Sequence, residues 1–312
     1  MSSPNRRDFI KTSALLAAAS ALPKHGLAAA RTEAPGLNVF SKHLQFLDYK
    51  ELAKAAKDIG FQGIDLTVRP GGHVEPEHVT RDLPKVVEAC RSQGLETPMM
   101  TTAVDDADDP LDQAVLKTAA QFDIRRYRMN WYRYHEQLSM PDSLGEYQKS
   151  IQKLDRLNRE LGLIGCYQNH AGTLVGASLW EVWQILQSAS QEHFGVQYDI
   201  RHATVEGGRS WTNGFHLVKD RIKTIVIKDC KWEKRDGRTH LVNTPLGEGM
   251  VDFPRYLKLL KEAKIDVPIS LHFEYDLGGA EKGRRKIEKS PDFVFESMER
   301  DIATFRRLWA EA

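Results

Sequence analysis

Strand-like and helix-like patterns alternate regularly along most of this chain. A strand-like segment such as Gly63–Arg69 carries apolar side chains at every second position, whereas a helix-like segment such as Tyr49–Ile59 repeats them every three or four residues. The strand candidates are Leu37–Ser41, Gly63–Arg69, Thr97–Val104, Arg126–Tyr132, Tyr167–His170, Phe194–Asp199, Ile225–Lys228 and Pro268–Tyr275. The helix candidates between them are Tyr49–Ile59, Leu83–Leu95, Leu111–Phe122, Leu144–Leu161, Leu179–Ala189, Trp211–Arg221 and Phe253–Ala263.

This alternation fixes the expected fold class. Eight strands that alternate with helices over roughly 270 residues predict an α/β protein, a (β/α)8 barrel in which helices cover a closed parallel sheet. A doubly wound open sheet is the rival, but it usually carries a glycine-rich phosphate turn after its first strand, and Phe40-Ser-Lys-His43 contains none. We therefore predict one barrel domain over residues 31–312, and we expect no nucleotide cofactor.

The N-terminal segment has the features of an export signal. Asn5-Arg-Arg-Asp-Phe-Ile-Lys11 supplies a basic start, and the mildly apolar run Thr12–Leu22 follows it. The small residues Gly26–Ala30 then predict cleavage after Ala29 or Ala30. The paired arginines resemble the bacterial twin-arginine signal, which implies a signal peptide over residues 1–30 and a periplasmic or otherwise exported protein.

Composition excludes several classes of function. The chain has 44 basic and 43 acidic residues, which is not the positive charge expected of a nucleic-acid-binding protein. No segment reaches the ~18 apolar residues that a membrane anchor requires. The three cysteines are too few for a disulfide framework, and we expect them to be buried. The sequence leaves open whether the protein forms a homo-oligomer.

Ionisable side chains lie at the C-terminal ends of several strand candidates. By side-chain parity the inward-facing set comprises Asp65, Arg69, Gln168, His170, Asp199, Lys228, His272 and Glu274, with His202 three residues beyond its strand. Active sites of such barrels lie at the C-terminal ends of the strands, so we expect one shared site. Carboxylate and imidazole ligands together suit Mn²⁺, Zn²⁺, Co²⁺ or Fe²⁺, whereas an all-oxygen site favours Mg²⁺.

Residues around this predicted site are candidates for substrate contacts. They are Asp65, Arg69, His73 and Trp131. The indole of Trp131 could stack on a sugar ring, although aromatic residues more often pack against the core. Asp65 and Arg69 could instead pair with each other, as could Lys228 and Asp229. The histidines could be structural, and we expect Lys231–His240 to be a solvated, charged loop.

Several motifs together resemble one known family. These motifs are Tyr167-Gln-Asn-His170, Asp199-Ile-Arg-His202, Ile227-Lys-Asp229, Gly247-Glu-Gly-Met-Val-Asp-Phe253 and His272-Phe-Glu274. Their order and placement are similar to those of the sugar phosphate isomerase/epimerase group, whose members share the xylose isomerase-like TIM barrel. The resemblance spans roughly residues 37–310 and implies a small carbohydrate as the ligand.

The resemblance also implies a divalent-metal site. Family members hold the metal with a Glu, an Asp, a His and a Glu on strands five to eight. Asp199 and Glu274 match two of these positions, and His202 completes an Asp-x-x-His pattern. Gln168 stands at the first Glu position, and Val226 stands at the His position. On this basis the expected ligands are Gln168, Asp199, His202 and Glu274, and the nearby histidines His170 and His272 could substitute.

The implied chemistry is metal-assisted proton abstraction next to a sugar carbonyl by an isomerase or epimerase. Catalytic candidates are Glu274, Lys228, His272 and His170. Gln168 cannot accept a proton, so a one-base reaction is an alternative, with a lyase or hydratase acting on 3-keto-glycosides. A non-catalytic carbohydrate-binding barrel is a further alternative. DNA repair, as in endonuclease IV of the same fold, is disfavoured by the charge balance and the export signal.

Overall fold

The computed structural model describes residues 34–312 as a closed barrel of eight parallel strands. The barrel strands are β1 (Leu37–Phe40), β2 (Gly63–Val68), β3 (Glu96–Thr102), β4 (Arg126–Arg128), β5 (Ile164–Gln168), β6 (Phe194–Asp199), β7 (Ile222–Ile227) and β10 (Ile269–Leu271). Around the barrel the strands follow the order β1-β10-β7-β6-β5-β4-β3-β2. The predicted (β/α)8 fold is confirmed, whereas the predicted signal peptide lies outside the described residues.

Helices follow most of the strands and cover the outside of the barrel. They are α1 (Tyr49–Ile59), α2 (Val79–Ser92), α3 (Pro110–Gln121), α4 (Met140–Leu161), α5 (Leu179–Leu186), α6 (Ile200–Gly207), α7 (Trp211–Val218), α8 (Phe253–Glu262) and α9 (Pro291–Glu311). The first helix shows how local sequence sets these bounds. Asp48 and Glu51 form a capping box at its start, and Gly60 ends it in the left-handed conformation at φ 101°.

One segment differs from the sequence-based expectation. The predicted loop Lys231–His240 forms a β-hairpin, in which β8 (Asp229–Arg235) pairs antiparallel with β9 (Arg238–Thr244). The turn is Asp236-Gly237, and both residues have positive φ angles, which is the arrangement that two-residue hairpins favour. Most side chains of the hairpin are exposed, so the expectation of a solvated charged surface is confirmed, but the expectation of a loop is wrong.

Strand register brings the polar side chains of the interior to similar heights. Thr101 of β3 pairs with Arg128 of β4, and Asp199 of β6 pairs with Val226 of β7. Val226 in turn pairs with Ser270 of β10. Side chains that point inward from neighbouring strands therefore meet, and residues just beyond the strand ends gather above them.

Lys228 and Asp229 are neighbours in sequence but serve different parts of the fold. They form no ion pair with each other, because alternating side chains point to opposite faces. The carboxylate of Asp229 accepts hydrogen bonds from the backbone N–H groups of Cys230, Gly247, Gly249 and Val251, at 2.8–3.2 Å. A Cβ atom at Gly249 would lie 2.1 Å from the Asp229 Oδ1 atom, so this close approach requires glycine.

Replacing Asp229 with Ala should therefore destabilise the protein. The substitution leaves four backbone N–H groups without their acceptor, and we expect the free energy of unfolding to fall by about 3 kcal/mol. Urea denaturation followed by circular dichroism measures this change. A control substitution of an exposed aspartate, Asp220→Ala, should have a much smaller effect. Equal stability of the Asp229→Ala variant and the wild type would contradict the anchoring role.

Candidate functional site

A cavity of about 280 Å³ opens at the C-terminal ends of the barrel strands. Its lining consists of Phe40, Lys42, Arg69, Thr101, Arg128, Trp131, Gln168, His170, Lys228, His272 and Glu274. These residues lie at the ends of β1–β5, β7 and β10 or directly after them. The cavity is therefore at the place where barrels of this kind carry their active sites.

The ammonium group of Lys228 lies at the centre of the ionisable cluster. Its Nζ atom is 2.9 Å from His202 Nε2 and 3.2 Å from Asp199 Oδ2. It is also 3.5 Å from Glu274 Oε2. The Lys228 side chain is 4% exposed, so these partners, rather than water, stabilise its ammonium group. Lys228 thereby connects the ends of β6, β7 and β10.

Glu274 is the carboxylate that faces the cavity. Its Oε1 atom lies 3.6 Å from Lys42 Nζ and 3.8 Å from His272 Nδ1. Burial raises the pKa of the carboxyl group, but Lys228, His272 and Lys42 together outweigh that effect and hold the pKa well below its ordinary value. The side chain remains 23% exposed toward the opening. Glu274 is thus an ionised carboxylate that a ligand can reach.

Asp65 supports the site from below the cavity. The Asp65 carboxylate is fully buried and accepts hydrogen bonds from Thr101 Oγ1 at 3.0 Å and Ser270 Oγ at 2.9 Å. The His272 Nε2 atom lies 3.8 Å from the same carboxylate. The His272 ring stacks on Phe40 with 4.1 Å between centroids. His272 is therefore positioned between two carboxylates, with its Nδ1 atom turned toward Glu274.

Two further histidines lie beside Lys228 and are held neutral. Burial, followed by the positive charge of Lys228, lowers the pKa of both His170 and His202. The rings of the two histidines are 4.1 Å apart, and His170 packs edge-on against Trp131 at 4.6 Å. His202 accepts from Lys228 through Nε2, and its Nδ1 atom contacts Arg201 at 3.0 Å. Of the two, only His170 lines the cavity.

The hairpin β8–β9 is linked to this cluster through one amide side chain. Asn243 accepts a hydrogen bond from Arg201 Nη2 at 2.8 Å. Its own Nδ2 atom donates to the backbone carbonyl of Glu274 at 3.2 Å. Arg201 also contacts His202, so the hairpin helps to position both the imidazole and the backbone that carries Glu274.

Most of the predicted site residues lie together. Those that line the cavity are Arg69, Trp131, Gln168, His170, Lys228, His272 and Glu274, and those that support them from behind are Asp65, Asp199 and His202. His73 is placed differently from the expectation, because it is buried and does not line the cavity. Burial and the charge of Arg285 lower the pKa of His73 to about 4. A histidine next to a Pro-Gly-Gly turn gives no parity signal, so its direction was not predictable.

Other residues of the lining were missed by the sequence-based prediction. They are Phe40, Lys42, Thr101 and Arg128. Thr101 and Arg128 lie within predicted strands and pair with each other, so strand parity could have identified them. Lys42 lies in a short 3₁₀ turn after β1, where alternation no longer predicts side-chain direction.

Comparison with known families gives a match over most of the chain. Residues 53–296 match the family model described as the xylose isomerase-like TIM barrel. The chain belongs to this family. Residues 3–23 match the signal sequence of the twin-arginine translocation pathway, which indicates export by that route. Every helix between residues 34 and 312 is too short or too polar to cross a bilayer.

Solved structures of similar fold include enzymes that act on sugars. The 3-keto-D-glucoside 4-epimerase YcjR of E. coli has a TM-score of 0.66 and 13% identity, covering 88% of this chain and 100% of that chain. The D-psicose 3-epimerase of Clostridium cellulolyticum H10 has a TM-score of 0.66 and 10% identity, covering 88% and 99%. The probable 3-DHS dehydratase AsbF of Bacillus anthracis has a TM-score of 0.61 and 12% identity, covering 85% and 97%. A search of curated proteins finds no match.

The side chains at the expected metal position of this family member do not fit a divalent ion. Gln168 Nε2 donates a hydrogen bond to Asp199 Oδ2 at 2.9 Å, and Val226 carries no ligand atom. The ammonium of Lys228 lies among Asp199, His202 and Glu274, which are three of the four expected ligands. Within residues 34–312 no three His, Cys, Asp or Glu side chains are arranged to hold a metal ion.

This misfit predicts that divalent metals will not stabilise the protein. An ion could reach Asp199 and Glu274 only by displacing the buried ammonium of Lys228, which has no other carboxylate partner within residues 34–312. We expect the melting temperature to be unchanged by a millimolar excess of Mn²⁺, Co²⁺ or Zn²⁺. Differential scanning fluorimetry of protein dialysed against EDTA measures the melting temperature with and without each metal. A clear rise on addition of a metal would contradict the conclusion that these side chains do not fit a divalent ion.

Proposed function

We propose that this protein is an exported carbohydrate-active enzyme that removes a proton from the carbon next to a carbonyl group of a keto-sugar. The observation that carries the proposal is the ionised carboxylate of Glu274, which faces the cavity between Lys42, Lys228 and His272. The proposed mature protein is the barrel domain, residues 31–312, released after cleavage of the signal peptide. Its proposed location is the periplasm.

In the proposed reaction Glu274 is the general base. It takes the proton, and the electron pair of the C–H bond moves to the carbonyl oxygen to form an enolate. The ammonium groups of Lys42 and Lys228 contact Glu274 in the free enzyme and can stabilise negative charge that develops on the substrate oxygen. As the carboxylate becomes neutral, the same cations are left to interact with the enolate, so charge is redistributed within one cluster.

Two outcomes of this enolate are chemically available. Return of the proton to the opposite face of the same carbon gives an epimer of the substrate. Return of the proton to a different carbon gives an isomer. Neutral His170, which also lines the cavity, is the proposed second proton-transfer group for that outcome. The similar structures support this class of chemistry, since epimerisation next to a ketone begins with loss of a proton.

Elimination is a second candidate, and a specific contact favours it. Gln168 cannot take up a proton, and its amide is committed to Asp199. With one carboxylate base, the enolate can expel the oxygen substituent on the adjacent carbon. The C–O bond then breaks, and the leaving alcohol takes the proton that Glu274 removed. A 3-keto-glycoside would lose its aglycone in this way, and water could add to the product.

Proton exchange with solvent tests the proposal. The purified protein is incubated in D₂O with a panel of free ketoses and 3-keto-glycosides, and the products are followed by NMR. We expect deuterium at the carbon next to the carbonyl, together with a new epimer, isomer or unsaturated sugar. Binding of these sugars without deuterium incorporation or product would contradict the proposal and favour a non-catalytic carbohydrate-binding barrel.

A further inference from the structure

The charges around the cavity are not balanced by the protein. Four cationic side chains line it, namely Lys42, Arg69, Arg128 and Lys228. Three carboxylates lie within or beneath the site, namely Asp65, Asp199 and Glu274. Lys42 and Lys228 form ion pairs with these carboxylates, but neither arginine has an ion pair within 4.0 Å in the described part of the chain.

Arg128 is the more unusual of the two arginines. It is 3% exposed, and its Nε and Nη1 atoms are buried without a hydrogen-bond partner among residues 34–312. Only Nη2 donates, to the carbonyl of Thr102 at 3.3 Å. Its guanidinium lies 4.0 Å from the Trp131 ring centroid, which fixes its plane. A buried cation with free donors is costly unless a partner satisfies them.

Arg69 lies on the same wall of the cavity. Thr67 pairs with Thr101, and Thr101 pairs with Arg128, so the ends of β2, β3 and β4 are level. Arg69 follows Thr67 by two residues and therefore points to the same side. Its guanidinium lies 5.5 Å from the Phe40 ring centroid, and no side chain of residues 34–312 accepts a hydrogen bond from it.

We propose that Arg69 and Arg128 form a subsite for a carboxylate group, so that the substrate is a sugar acid. This identification of the substrate rests on the proposed function, which supplies the keto-sugar part of the same molecule. Guanidinium groups match the planar geometry of a carboxylate and donate paired hydrogen bonds to it. Within the protein, Asp65 accepts from Thr101 and Ser270 and forms no ion pair with either arginine within 4.0 Å. The subsite holds one end of the sugar while Glu274 faces its keto carbon.

The geometry of the site favours a carboxylate over a phosphate ester. Trp131 holds the guanidinium of Arg128 in one plane, and a planar carboxylate matches that arrangement. A phosphate monoester is tetrahedral and carries nearly two negative charges at neutral pH, and the titration includes it as the alternative anion. The cavity of about 280 Å³ is also small among ligand pockets, which suits a monosaccharide acid.

Isothermal titration calorimetry with matched sugars tests this subsite. Each pair consists of a hexuronate and the corresponding neutral hexose, for example glucuronate and glucose, and glucose 6-phosphate serves as the phosphate arm. None of these probes is a keto-sugar, so binding is measured separately from the proton exchange that tests the proposed function. We expect a hexuronate to bind at least about tenfold more tightly than its hexose, because charged hydrogen bonds distinguish them.

Variants identify the groups responsible. Arg128→Gln should remove most of the preference for the uronate. Arg69→Gln, at a less buried position, should do the same. Arg255→Gln is the matched control, because Arg255 also lies over an aromatic ring, that of Trp211, but outside the cavity. Retention of the preference in both cavity variants would overturn the proposal. Two other results would also overturn the proposal. One is equal affinity, or no detectable binding, for both members of every pair. The other is tighter binding of glucose 6-phosphate than of glucuronate.

Discussion

Replacing Glu274 with Gln should reduce turnover of the keto-sugar by roughly a thousandfold, because the amide cannot accept the proton that the carboxylate removes. The variant keeps the shape of the side chain and can still contact Lys42 and Lys228. The fold should therefore be unchanged. The measurement is kcat/KM at neutral pH, with circular dichroism to establish the folded state.

A matched control separates loss of the base from loss of a charge. Glu248 is an exposed glutamate outside the cavity lining, and Glu248→Gln should retain wild-type kcat/KM. The role of Glu274 as the base would be contradicted if the Glu274→Gln protein were folded and fully active. A parallel loss in both variants would indicate a general effect of charge rather than a role in the reaction.

Replacing Lys228 with Met should impair both stability and activity. It leaves the buried carboxylate of Asp199 without its cation, and we expect a loss of roughly 3–5 kcal/mol in the free energy of unfolding. Lys228 is also the nearby charge that most lowers the pKa of Glu274. Its removal raises that pKa, so the acid limb of the pH profile of kcat/KM should move to higher pH. Urea denaturation and the pH profile measure the two effects.

The double variant Asp199→Asn/Lys228→Met is the control for the stability effect. It removes both members of the ion pair, and Asn can still cap α6 as Asp199 does through the backbone N–H of His202. We expect it to recover much of the stability lost in the single variant. A single variant as stable as the wild type, with an unshifted acid limb, would show that Lys228 does not carry this role.

The barrel was predictable because it repeats one local rule. Apolar residues alternate with period two in each strand and recur at helical spacing between strands, and capping residues such as Asp48 and Gly60 mark the boundaries. The hairpin β8–β9 was missed because charged residues dominate it. Its turn, Asp236-Gly237, carried a recognisable signal that the charge pattern obscured.

The site was predictable only as a set of residues. Parity places Asp199, Lys228 and Glu274 at neighbouring strand ends, but it does not give the distances between their charged atoms. The position of the Lys228 ammonium between His202, Asp199 and Glu274 depends on rotamers and on the inability of Val226 to bind a cation. Sequence similarity therefore suggested a metal at a position that the structure gives to a lysine.

If Glu274 takes the proton from the carbon next to the carbonyl, a deuterium label at that carbon is lost to water. A keto-sugar deuterated at that carbon is incubated with excess enzyme in ordinary water, and loss of the label is followed by mass spectrometry. The wild type and Glu248→Gln should release the deuterium, whereas Glu274→Gln should retain it. Release of the label by Glu274→Gln at the wild-type rate would contradict the role of Glu274 as the base.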